Sequence, residues 1–80
     1  MDDPQIRQRI EELVAEEHRL WDDEAAGGSS DEDAARLAQV KVTLDELWDL
    51  LRQRRALRAA GQDPEVARLR DSDTVERYEQ

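Results

Sequence analysis

Apolar residues recur at helical spacing in two long stretches of this chain. In the first they are Ile6, Ile10, Leu13 and Leu20, with Glu17 in the slot between the last two, so the steps run 4, 3, 4 and 3. In the second they are Leu37, Val40, Leu44, Leu47 and Leu51, stepping 3, 4, 3 and 4. Both are heptad seams, reading d-a-d-a-d and a-d-a-d-a. Folding the chain back between them pairs Leu20 with Leu37, Glu17 with Val40, Leu13 with Leu44, Ile10 with Leu47 and Ile6 with Leu51. Each pair of numbers sums to 57, and each sets an a position against a d position, as antiparallel helices require. The pattern predicts an antiparallel helical hairpin with arms at least ~34 Å long, at about 1.5 Å per residue.

Local signals bound the arms. Asp3-Pro4 reads as an N-cap followed by proline at the first helical position, where the missing N–H costs nothing. The first helix is predicted over 4–26 and the second over 30–60. Between them Gly27-Gly28-Ser29-Ser30 is the one turn-forming cluster. Ser29 with Glu32, or Ser30 with Asp33, supplies a capping box, and Gly61 a left-handed stop. Asp63-Pro64-Glu65 repeats the first start signal and opens a shorter third helix reaching about Arg70. Residues 71–80 are expected to fray, with one further turn near Asp73 and Glu76 as the other outcome. The expectation is all-α: a hairpin over 1–61, then a short helix and flexible tail over 62–80.

Charge supports the fold-back. The chain has 80 residues and a net charge of -9, with 41% of its residues charged. Residues 1–33 carry 12 acids and 3 bases, residues 34–61 carry 6 bases and 3 acids, and residues 62–80 carry 6 acids and 3 bases. The predicted register lays the arginine-rich end of the second helix beside Asp2, Asp3, Glu11 and Glu12. Exposed pairs of this kind contribute roughly 0–1 kcal/mol each, so they choose orientation more than they stabilise. Cysteine is absent, which excludes a disulfide framework and a thiolate nucleophile. No apolar run approaches the roughly 20 residues that cross a bilayer, and the acidic N-terminus lacks a signal peptide's pattern. A cytoplasmic protein is expected.

A lone two-helix hairpin cannot surround a core, and apolar residues continue beyond the seam. Val14, Trp21, Ala34 and Trp48 occupy e positions on one flank; Leu50 and Leu57 occupy g positions on the other. Val66 and Leu69 are expected to cover Leu50 and Leu57. Both indoles sit in the same setting, Leu20-Trp21-Asp22 and Leu47-Trp48-Asp49. Exposed together they form an apolar patch of the kind that marks contact with another surface. The expected assembly is a homodimer, a four-helix bundle in which the Trp flank meets its copy. The predicted contact residues are Val14, Trp21 and Trp48, with Arg52, Arg54, Arg55 and Arg58 as a charged edge.

Candidate chemistry is sparse. His18, the single histidine, falls at an outward b position and reads as a solvated side chain. Glu17 occupies a core slot, yet bundle di-metal sites need inward carboxylates with Glu-x-x-His spacing, which this chain lacks. It reads instead as a polar interruption that sets register or partner number. There is no Gly-rich phosphate loop and no Gly-x-Ser-x-Gly, so no catalytic residue, cofactor or metal is assigned and an enzyme is not expected. The arginine cluster suits phosphate, but a net charge of -9 disfavours nucleic acid. The runner-up to an interaction or adaptor protein is a small acidic regulator that binds nucleic acid through those arginines, or mimics it toward a basic protein.

Four stretches look familiar as a set: Asp3-Pro4-Gln5-Ile6, the run from Glu11 to Leu20, Trp48-Asp49-Leu50-Leu51-Arg52-Gln53-Arg54-Arg55, and Gly61-x-Asp63-Pro64. With the ending Val75-Glu76-x-Tyr78, the chain resembles a family of short acidic actinobacterial proteins known as a domain of unknown function. The resemblance implies a bacterial cytoplasmic protein with no assigned activity, and it transfers no catalytic residue.

Overall fold

A computed structural model of the chain describes residues 1–28 and 30–69. Two α-helices, α1 (Asp3–Ala25) and α2 (Asp31–Ala59), run antiparallel and are followed by one 3₁₀ turn, Pro64–Val66. α1 begins one residue earlier than the Asp3-Pro4 signal suggests. Asp2 is the N-cap, accepting from the Gln5 N–H at 2.9 Å, while the Gln5 side chain accepts from the Asp2 N–H at 2.9 Å. This reciprocal box satisfies two donors that a helix start leaves open. Proline tolerates the shift, since a second-position N–H also lacks an intrahelical acceptor. Asp3 is thereby moved into the first turn and its carboxylate released for other work. At the second start Ser30 is the cap, accepting from the Asp33 N–H at 3.1 Å. The alternative on Ser29 lies outside the described residues.

Both helices end in the same way. The N–H groups of Gly28 and Gly27 donate to the carbonyls of Asp23 and Glu24, and those of Gln62 and Gly61 donate to Leu57 and Arg58. The 6→1 and 5→2 bonds are the Schellman arrangement, which needs a left-handed residue after the cap. Gly27 and Gly61 provide it at φ 78° and 72°. Five residues separate the two helices in the chain.

The core is the seam together with Leu50 of the g flank. Ile6, Ile10, Leu13, Val40, Leu44, Leu47, Leu50 and Leu51 are buried, and Ile6, Leu13 and Val40 are almost wholly removed from water. Full burial of such side chains stabilises by roughly 1.5–3 kcal/mol each. Burial fades toward the loop, where Leu20 and Leu37 are half-buried. Val14 and Ala67 pack against the core from outside it.

The third segment is shorter than a helix to Arg70. Asp63 caps the 3₁₀ turn through the Glu65 N–H at 2.9 Å, and Ala67 is already extended. Beyond the turn the chain runs extended across α2. It crosses over Gln53, whose side chain donates to the Arg68 carbonyl at 2.5 Å and accepts from the Arg68 N–H at 3.3 Å. The covering of the g flank differs from expectation accordingly: small Ala67 packs inward, whereas Val66 and Leu69 are more than half exposed. Leu50 is buried and Leu57 half-buried. The fraying expected of residues 71–80 falls outside the described residues.

Candidate interaction surface

The e flank keeps both tryptophans at the surface, Trp21 42% and Trp48 44% exposed. Each indole rests on its surroundings along one side. His18, one turn before Trp21, stacks on it with ring centroids 5.9 Å apart and planes 22° from parallel. Lys41 reaches across from α2 and sets its Nζ 5.8 Å from the Trp21 ring centroid, where the ring's negative face attracts a cation. Trp48 lines a small cleft with Arg7, Ile10 and Glu11 of α1. Both contacts join α1 to α2 on the same side of the hairpin, as e positions facing e positions must. Val14 lies between them, half-buried.

The charged edge divides. Arg54 is turned inward and is only 6% exposed. Its Nε donates to Asp3, and its Nη1 donates to the Glu65 carboxylate at 3.2 Å and the Pro64 carbonyl at 3.3 Å. Arg58 donates to the other oxygen of Asp3 at 2.8 Å. One guanidinium thus ties the start of α1, the end of α2 and the 3₁₀ turn, and Arg54 does not belong on a partner-facing edge. Arg52 and Arg55 are exposed. A signal for Arg54 was present in the heptads: one step beyond Leu51 the next d position is residue 54, opposite the a position at residue 3. The layer obeys the same sum of 57. A seam read only through apolar residues stops before it.

The electrostatics follow from this geometry. Hydrogen bonds from Arg54 and Arg58 hold the Asp3 carboxyl below its ordinary value of 3.8, against a smaller opposing effect of burial. Asp3 correspondingly holds Arg54 more firmly protonated. Arg36 grips Glu16 through two donors, one at 2.8 Å, and lowers the Glu16 carboxyl. That pair joins g positions and sits on the side opposite the tryptophans.

A buried carboxylate appears where the heptad reads an outward f position. Asp49 is 4% exposed because the segment after the 3₁₀ turn passes over it, and Gln53 donates to it at 2.9 Å. Sequence reasoning missed it, since the cover comes from residues far along the chain with no periodicity of their own. Glu17 is half-buried in its seam slot, and Val40, its partner in the predicted register, is buried. Among the described residues no three His, Asp or Glu side chains gather to hold a metal ion, and no helix is long and apolar enough to cross a membrane.

The molecule is an antiparallel helical hairpin with an aromatic flank and a charge-locked open end. The chain belongs to the family described as protein of unknown function (DUF2630), whose model matches residues 2–80. It is 46% identical over 77 residues to the uncharacterized proteins Rv0898c of Mycobacterium tuberculosis and Mb0922c of Mycobacterium bovis. Those alignments span 95% of this chain and 88% of each relative. The actinobacterial resemblance seen in the sequence is therefore correct. No solved structure matches the chain.

Proposed function

We propose that this protein is a non-enzymatic bacterial interaction protein of the cytoplasm, working through the tryptophan flank and engaging a second copy of itself there. The observation that carries the reading is the pair of half-exposed indoles on one side of the hairpin, with half-buried Val14 between them. The other flank already has cover from Ala67, whereas no segment beyond the two helices packs on the e flank among the described residues. Aromatic anchors contribute disproportionately to protein contacts when they become desolvated. The runner-up, phosphate binding through four arginines, is weakened because Arg54 is enclosed and Arg58 already serves Asp3.

Sedimentation at micromolar concentration tests the proposal on the intact chain and on Trp21→Ala/Trp48→Ala. The intact chain is expected to sediment as a dimer and the double variant as a monomer of unchanged helical content by circular dichroism. An intact chain found only as a 9.3 kDa species overturns it. So does a double variant that dimerises as well as the original.

A further inference from the structure

The tryptophan face has a direction. In the seam register, residue n of α1 lies level with residue 57 minus n of α2, so both helices share one axis at about 1.5 Å per residue. Arg55 and Arg52 then fall level with residues 2 and 5, next to Arg7, and Trp48 falls level with residue 9. Trp21 stands at its own level toward the loop, and Asp31, one turn before Ala34 on the same face, falls level with residue 26. Asp31 is exposed, as are Asp22, Glu24 and Glu32 around it. Beyond Glu11 and Asp45, which fall at levels 11 and 12 near the centre, one end of the face is basic and the other acidic. The indoles are about 18 Å apart along the axis, and their midpoint is level with residue 15, beside Val14 and Lys41.

We propose that a second copy of the chain docks on this face turned end for end, about a two-fold axis passing close to Val14 and Lys41. The proposal rests on the self-association reading above and adds its geometry. Rotation about that midpoint brings Trp48 of each copy to Trp21 of the other. The same rotation sets Asp31 of each copy between Arg52 and Arg55 of the other, twice by symmetry. Placing the copies side by side in the same direction instead sets arginine against arginine and Asp31 against Asp31, and like charges across an interface suppress that arrangement. A nucleic-acid strand fits the basic end but meets the acidic end as well. The chain itself offers the required charges in the required reverse order, with the aromatic anchors equally spaced from the centre.

The absence of cysteine makes the test direct, because each introduced thiol reports only its own neighbour. Arg7, Ala34 and Lys41 are exposed, so cysteine at each leaves the hairpin intact, as circular dichroism will register. Under mild oxidation Lys41→Cys, next to the axis, is expected to link to itself. Arg7→Cys is expected not to link to itself but to link to Ala34→Cys when the two proteins are mixed, since residue 34 falls level with 23, the counterpart of 7 across the midpoint. If Arg7→Cys links to itself and not to Ala34→Cys, the copies run in the same direction and the proposal is wrong. A sedimenting dimer in which Lys41→Cys fails to link places the contact on another face and equally overturns it. Either result leaves self-association standing, whereas a monomeric intact chain removes both.

Discussion

The two ends of the hairpin start from one seam and finish differently. At the open end the layer beyond Ile6 and Leu51 joins Asp3 to Arg54, opposite charges, and the segment around Pro64–Val66 closes over it. At the loop end the layer beyond Leu20 and Leu37 sets Glu24 level with Asp33, like charges, and nothing in the described residues covers it. Burial follows: Ile6 is fully enclosed, while Leu20 and Leu37 are half-buried. Mid-hairpin, Leu13 and Val40 are buried with neighbouring layers on both sides of them, whereas the last seam layer at each end has a neighbour on one side only. What seals a terminal layer is a third element or a complementary pair of charges, and the open end has both.

The largest test of that contrast compares equivalent truncations at the two ends. Ile6→Ala is expected to lower unfolding stability by about 2–5 kcal/mol, because the enclosed site cannot collapse freely. Leu20→Ala, already half wetted, is expected to cost about 1 kcal/mol. Urea unfolding followed by circular dichroism measures both, and equal losses would erase the distinction between the ends. Next in size, Arg54→Met is expected to lower the urea midpoint well beyond Arg36→Met. The first leaves Asp3 held by Arg58 alone and removes the links from α2 to Pro64 and Glu65, whereas the second breaks one half-exposed pair. Matching midpoints for the two variants would mean that the open end owes nothing to its guanidinium.

Filling the weak end should move stability the other way. Glu17→Leu replaces the polar interruption level with Val40 and is expected to stabilise by roughly 1 kcal/mol, from partial burial of one apolar side chain. A destabilised variant would show that the carboxylate has a partner the seam requires. The smallest effect concerns acid. Asp3 is depressed by Arg54 and Arg58, so its contribution is present above about pH 3.8 and is lost as pH falls through the lower folded value. Asp3→Asn is therefore expected to flatten the loss of stability below about pH 4. Glu16→Gln, beside the more exposed Arg36, should flatten it less. Acid titrations of the urea midpoint for the three proteins read this directly.

The hairpin was legible because its information is local and repeated. Steps of three and four place Leu13, Leu44 and Leu47 on one stripe, and glycine at 27 and 61 marks where the chain must enter the left-handed region. The exposed flank was legible for the same reason, since Trp21 and Trp48 share one heptad position. Arg54 was legible in principle, because the register continues through it, yet a reading that counts only apolar residues ends one layer early. Asp49 was not legible. Its burial comes from Gln53 and Arg68 bringing an irregular segment across α2, and no spacing within residues 62–69 announces that crossing.

Periodicity thus settled which residues form helices and which way the helices run, since both follow from side chains repeating along a rigid rod. Packing in three dimensions settled which polar groups are enclosed and which flank is closed, because enclosure depends on a segment with no repeat of its own landing on a particular face. The tryptophan flank owes its helix position to the first cause and its openness to the second: the last segment crosses α2 on the other side.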